Sequence, residues 1–130
     1  MVQAMVGEWT IAGAGAGGRT YEGAATFSLA LGGACLLGDS LVQMGLGPRA
    51  GLAVIAIPAD GKSLKSWTFG NYFPEPTVME GPLTDTSWEA QGKTPFGPVK
   101  RTTKKTETGL EAKTFVGDRE SGTETLTRKK

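Results

Sequence analysis

The sequence contains no histidine and only one cysteine, Cys35, among its 130 residues. Histidine is the commonest general base and the commonest metal ligand, so its absence excludes Ser-His-Asp, Cys-His, zincin and His-ligated haem chemistry. A single cysteine cannot form a disulfide within the chain, which is typical of a reducing compartment. We therefore expect neither a metal nor any other cofactor.

Long hydrophobic runs and an excess of one charge are also missing. No stretch approaches the ~20 apolar residues of a transmembrane helix, and Arg19 is the first basic residue, so the start lacks the features of a secretory signal. The 14 basic and 13 acidic residues give a net charge of +1, which creates no field that attracts nucleic acid or an anionic membrane. These absences predict a cytoplasmic protein without a nucleic-acid or membrane partner.

Glycine and turn residues, by contrast, are abundant and closely spaced. Twenty glycines and seven prolines separate short segments rich in Thr, Val, Ile and aromatic residues, a spacing typical of all-β folds. Ten strands are predicted, at residues 8–14, 20–29, 34–44, 51–57, 63–70, 78–83, 87–93, 99–107, 110–116 and 123–128. Reversals are predicted between them at 59–62, which contains an Asp-Gly pair, at 108–109 and at 118–122.

Short connections place consecutive strands side by side in the sheet. Because no helices are predicted that could cover a sheet of ten strands, the sheet buries one face most economically by closing on itself. We therefore predict a single domain, residues 1–130, that folds as an all-β, antiparallel up-and-down barrel of about ten strands. A barrel of this strand number is wide enough to enclose a cavity.

Several short motifs occur in an order that resembles a known family. They are Val6-Gly7-Glu8-Trp9-Thr10, Leu31-Gly32-Gly33-Ala34-Cys35-Leu36, Ser66-Trp67-Thr68-Phe69, Met79-Glu80-Gly81 and Leu126-Thr127-Arg128. Together they resemble the DUF1579-type lipocalin-like bacterial proteins over most of the chain. The resemblance implies a calycin-like β-barrel with a small apolar ligand, and it brings no established catalytic residues.

Large apolar side chains are distributed over most of the predicted strands. In a barrel with a cavity the inward ones contact a ligand, whereas in a packed sandwich they are simply core. Trp67 and Phe69, which share a face with Lys65, are the strongest candidates. The predicted cavity wall comprises Trp9, Phe27, Trp67, Phe69, Met79, Trp88 and Phe115.

Arg101 is the charged residue whose placement, inside or outside the barrel, most changes the predicted function. It shares a face with Val99 and Thr103, and if that face is interior the guanidinium needs a carboxylate partner or an acidic ligand. The competing and favoured interpretation places Arg101 outward, within a basic surface run at residues 100–105. The leading function is thus binding of a small apolar or acidic molecule, with Arg101 as a candidate ligand contact.

Two carboxylates lie in largely apolar strands and are candidates for catalysis. An inward Glu80 or Asp39 would have a raised pKa and could act as the acid or base of a cofactor-free isomerase or cyclase. Asp39 can equally be a solvated residue of a bulge beside Gly38. A filled barrel without a ligand, serving as an interaction module, is a third alternative.

The segment 71–76 contains Tyr72 and Phe73 beside two prolines. Stiff backbone with exposed aromatic rings is typical of a lid over a barrel mouth or of a homodimer contact. Both interpretations are kept as predictions.

Overall fold

A computed structural model describes residues 1–45, 47–71 and 74–129, without the side chain of residue 16. One short helix, α1 (Val2–Met5), precedes ten strands, and single 3-10 turns lie at Ala16–Gly18 and Leu31–Gly33. The strands are β1 (Gly7–Gly15), β2 (Thr20–Ala30), β3 (Cys35–Met44), β4 (Gly47–Ala56), β5 (Ser63–Gly70), β6 (Thr77–Pro82), β7 (Ser87–Thr94), β8 (Gly97–Lys105), β9 (Gly109–Val116) and β10 (Arg119–Arg128).

The ten strands form one closed antiparallel barrel in which sequence neighbours are sheet neighbours. The first strand closes the sheet by pairing with the last, so that Trp9 lies opposite Ala25 of β2 on one side and opposite Arg128 of β10 on the other. Because the barrel is closed, none of its paired strands has a free edge that a helix would need to cover. The predicted all-β barrel of ten strands is confirmed.

The turns show why the strand boundaries fall where they do. In the predicted reversal at 59–62, Gly61 has a positive φ of 64° and the Lys62 amide donates to Asp60 Oδ1 at 3.0 Å. The last reversal was predicted too late: Gly117 takes a positive φ of 62°, and β10 already begins at Arg119. Glycine adopts this left-handed backbone without steric cost, so the chain reverses at residues 117–118, and the predicted range 118–122 overlaps the turn only at Asp118.

The end of the barrel beside α1 is closed by a small cluster that we call the floor. Trp9 donates from Nε1 to the Met5 carbonyl at 2.9 Å, and the Arg128 guanidinium lies 4.5 Å from the centre of a Trp9 ring. Arg128 also donates to the carbonyls of Val6 at 2.8 Å and Ala4 at 3.0 Å. These bonds satisfy carbonyl groups at the end of α1 and hold it against the barrel.

The hydrophobic core fills the barrel near the floor. Its largest fully buried side chains are Trp9, Leu36, Leu64 and Leu110, and Met5 of α1 packs into the same cluster. At the opposite end the lining includes exposed residues, with Phe96 at 79% of its full exposure. The interior is therefore packed at one end and open to solvent at the other.

Candidate functional site

The candidate site is a cavity of about 480 Å³ inside the barrel. Its volume lies within the range of roughly 300–1,000 Å³ found for small-molecule sites. All ten strands contribute to its wall, since inward side chains alternate with outward ones along each strand.

The deeper part of the cavity wall is mostly apolar, and its polar groups are the buried hydroxyls of Ser66 and Thr103 and the indole N–H of Trp88. Trp88, Ala90 and Leu110 there are more than nine-tenths buried. The inward apolar residues of this region are Ala25, Phe27, Ala53, Ile55, Met79, Trp88, Ala90, Leu110, Ala112 and Leu126. Small alanines among larger side chains leave open space that a fully packed core would fill.

Two glycines fix the direction of aromatic rings on this wall. The Phe27 ring lies over Gly38 on the neighbouring strand, and a Cβ at Gly38 would collide with ring carbons Cδ1 and Cε1. The Tyr21 ring lies over Gly13 in the same way. Each ring thus lies flat against the adjacent strand, which leaves the centre of the barrel free.

A polar cluster interrupts the apolar wall halfway along the barrel. Arg101 donates from Nη2 to Glu124 Oε1 at 2.6 Å and from Nη1 to Thr114 Oγ1 at 3.0 Å. The side chains of Arg101 and Glu124 are 35% and 16% exposed, respectively, so this ion pair is largely enclosed. We call Arg101, Thr114, Glu124 and Tyr21 the interior polar cluster.

Strand register explains how residues far apart in sequence form this cluster. Arg101 pairs with Thr114 between β8 and β9, and Gly13 pairs with Glu124 on one side and with Tyr21 on the other. The members therefore lie on β8, β9, β10 and β2, in one oblique band around the barrel that crosses β1 at Gly13. Each is inward because it shares its strand parity with a buried residue, as Glu124 does with Leu126.

Tyr21 is electrostatically coupled to the ion pair. Burial raises the pKa of the Tyr21 phenol well above its usual value, and the charge of the neighbouring Glu124 and its hydrogen bond to the phenol raise this pKa further. Both effects favour the neutral phenol over the phenolate. Tyr21 is therefore a neutral phenol beside the Glu124 carboxylate throughout the neutral range.

Four of the predicted ligand contacts line the cavity: Phe27, Met79, Trp88 and Arg101. For Arg101 the favoured outward interpretation is wrong, since its side chain is inside and paired with Glu124. The carboxylate partner that an interior guanidinium requires is thus supplied by the protein itself.

Trp9, Trp67, Phe69 and Phe115 are placed elsewhere, so their assignment to the cavity wall is corrected. Trp9 is buried in the floor. Trp67 lies on the outer face with the Lys65 ammonium 5.3 Å from its ring, and Phe69 on the same face is 48% exposed. Phe115 lies in a shallow outer depression beside Lys113.

The predicted inner and outer faces of β5 are exchanged in the structure, and the reason is steric. Leu64, Ser66 and Thr68 face inward; Leu64 is fully buried near the floor, and the other two line the cavity. Small polar side chains leave the interior open at this level, whereas two large rings would fill it. The prediction that the aromatic face of β5 points inward was therefore wrong. The small side chains of Ser66 and Thr68 keep the cavity open along this strand.

The two carboxylates predicted for catalysis also lie outside the barrel. Asp39 is exposed on the outer face between Thr26 and Leu52, and Glu80 is exposed beside Lys65. Neither reaches the cavity, because each follows the outward parity of its strand. The prediction of an inward Glu80 or Asp39 is therefore wrong.

Sequence reasoning missed Tyr21, Thr114 and Glu124. The signal was present for Glu124, which stands two residues before Leu126 and so shares the face of a core residue. For Tyr21 and Thr114 only the register of the closed barrel brings them beside Arg101.

Within residues 1–45, 47–71 and 74–129, no cluster of three or more His, Cys, Asp and Glu side chains has the arrangement of a metal site. No helix in this part of the chain is long and apolar enough to span a membrane. The proposed lid or dimer contact at 71–76 falls partly on Tyr72 and Phe73, which lie outside the described residues. Asn71 of that segment does bond to the barrel, donating to the Pro48 carbonyl at 3.1 Å.

Comparison with known proteins supports the architecture. No family model matches the chain, and no curated protein matches it in sequence. A solved structure of a redesigned beta barrel, b11L5F_LGL, is similar with a TM-score of 0.53 and 14% sequence identity, over 99% of this chain and 95% of that one. At this identity the likeness shows the β-barrel fold alone, and the resemblance to DUF1579-type proteins stays a prediction.

Proposed function

We propose that this protein binds one small, largely apolar molecule inside its barrel, as lipocalin-like proteins do. The single observation that carries the proposal is the cavity of about 480 Å³ whose deeper wall is mostly apolar. Transfer of apolar ligand surface from water to such a wall is favourable by roughly 25 cal/mol per Å².

The division of the barrel between a packed end and an open end also supports binding. The floor closes the barrel beside α1, and core side chains next to it, such as Trp88 and Leu110, also form the deep end of the cavity wall. A ligand would therefore enter from the end opposite α1 and place its apolar part against this core.

Binding has more support than the alternative of a cofactor-free isomerase or cyclase. The carboxylates predicted to act as acid or base lie on the outer surface. Glu124 is the carboxylate found on the described cavity wall, and Arg101 holds it in an ion pair with a distance of 2.6 Å.

Fluorescence titration with 1-aminoanthracene, a small uncharged aromatic probe, tests the proposal. We expect one probe molecule per barrel, with enhanced probe emission and a change in tryptophan emission because Trp88 lines the cavity. Ala53 lies on the cavity wall and is only half-buried, so Ala53→Phe places a ring in the open space and should weaken binding at least tenfold.

A matched substitution on the same strand controls for effects on folding. Ala50 is exposed on the outer face of β4, so Ala50→Phe adds the same ring outside the cavity and should leave the affinity unchanged. Equal affinity for A53F, A50F and the unmodified protein would place the probe outside the barrel and refute the proposal, as would the absence of probe binding.

A further inference from the structure

We propose that Arg101 and Glu124 together bind an uncharged polar group of the ligand, one that both accepts and donates hydrogen bonds, with a primary carboxamide as its simplest form. The inference rests on the proposed function, since it concerns the polar end of a molecule whose apolar part lies deeper in the cavity. In this proposal, the interior polar cluster selects ligands by their head group.

Free hydrogen-bonding capacity in the cluster is the first argument. A guanidinium carries five N–H donors, and two donor bonds are made here, to Thr114 and to Glu124. The Glu124 carboxylate has about four acceptor sites, of which the hydrogen bond from Arg101 uses one, with the Tyr21 phenol as a further neighbour. Unused donors and acceptors therefore stand side by side on the cavity wall, where a carboxamide can engage both.

The charge balance of the pair is the second argument. An acidic head group that binds Arg101 must also approach Glu124, whose oxygen is 2.6 Å from Nη2. Attraction and repulsion then nearly cancel, because Coulomb energies at similar distances are similar. The carboxylate of the ligand would still lose its hydration, which costs several kcal/mol.

The second arginine of the wall, Arg49, is exposed. Its positive charge reaches Tyr21 of the cluster, but water screens that charge more strongly than it screens the enclosed Glu124 carboxylate beside Arg101. An uncharged head group avoids the desolvation penalty and leaves the Arg101–Glu124 bond intact. We therefore expect the site to prefer an amide over an acid that has the same tail.

The stability of the fold gives a third argument. Replacing an enclosed ion pair by apolar residues is often neutral or stabilising, so the pair is not needed to hold the barrel together. Its position halfway along the wall, between the apolar depth and the open end, suits contact with the head of an amphiphilic molecule.

Displacement of 1-aminoanthracene by octanamide, octanoate and methyl octanoate at pH 8 tests the inference. The three share an eight-carbon chain, and the head group is respectively a neutral donor and acceptor, an anion, and a neutral acceptor only. We expect octanamide to bind at least tenfold more tightly than octanoate and at least threefold more tightly than the ester.

Two double variants identify the residues responsible. Arg101→Met with Glu124→Leu should bring the three affinities within about threefold of one another, since only the apolar contribution remains. Lys100 and Glu89 form a matched ion pair of 2.8 Å on the outer surface, so Lys100→Met with Glu89→Leu should keep the preference for the amide.

The possible results separate this inference from the proposed function. Octanoate binding as tightly as octanamide, or a preference for the amide that persists in R101M/E124L, overturns the inference. If 1-aminoanthracene still binds in a manner sensitive to Ala53→Phe, the proposed function survives that outcome. If the probe does not bind at all, both fail together.

Discussion

Removing one member of the Arg101–Glu124 pair is expected to destabilise the barrel, whereas removing both is not. Loss of one partner from a fully buried pair costs about 3–5 kcal/mol because a charge is left without compensation. The exposures of 35% and 16% here admit some solvent screening, which reduces the expected cost to about 1–3 kcal/mol for each single variant.

The two single variants should differ in a defined direction. Arg101→Met leaves the more deeply enclosed charge, Glu124, without its ion-pair partner, whereas Glu124→Leu leaves a more exposed guanidinium. We expect R101M to be the less stable of the two. The double variant should lie within about 1 kcal/mol of the unmodified protein, since well-packed apolar replacements avoid the desolvation penalty.

Urea unfolding followed by far-ultraviolet circular dichroism measures these differences at constant m-value. The outer pair of Lys100 and Glu89 supplies the comparison cycle, with changes expected to stay below about 1 kcal/mol for a solvent-exposed bridge. Strictly additive effects of R101M and E124L, or single variants as stable as the unmodified protein, would refute the reasoning that the interior pair acts as one unit.

Two further predictions concern the floor and the alkaline limit of stability. Arg128→Met removes two hydrogen bonds and a contact with the Trp9 ring. The thermal midpoint should therefore fall by roughly 6–12 °C, equivalent to about 2–3 kcal/mol. A shift no larger than that caused by Lys129→Met, at an exposed position, would contradict this prediction. Because the pKa of Tyr21 is raised in the fold, the unfolded chain releases the phenol proton first above pH 10, and the free energy of unfolding should decrease as pH rises further. Urea midpoints between pH 9 and 12 should fall more steeply for the unmodified protein than for Tyr21→Phe, and parallel curves would show that Tyr21 does not contribute.

The strands were predictable because their signals are local. Glycine, proline and Asp-Gly pairs mark reversals through backbone conformation alone, as at Gly61, and the predicted range of β5 matches the observed one. Closure of the sheet followed from the strand count and the absence of covering helices.

Which face points inward was harder to predict, as β5 shows. Hydrophobic alternation separates the two faces of a strand. It does not show which face is interior when the barrel contains a cavity, because small side chains can then stand where a packed core would have large ones. Trp67 and Phe69 were therefore placed inside by pattern and lie outside in the structure. Val99, Arg101 and Thr103 were correctly grouped on one face, but alternation alone did not decide that this face is interior.

Local sequence signals were enough to predict an all-β barrel, and the absence of histidine showed that no site in this sequence uses a histidine side chain. Turn residues and strand periodicity act over a few positions, so one sequence is enough to read them. Only the tertiary structure decided that Arg101 of β8 meets Glu124 of β10 and that Tyr21 of β2 joins them. Those contacts depend on register across five strands, β8 to β10, β1 and β2, and on the closure of β1 with β10, which are long-range properties of the whole barrel.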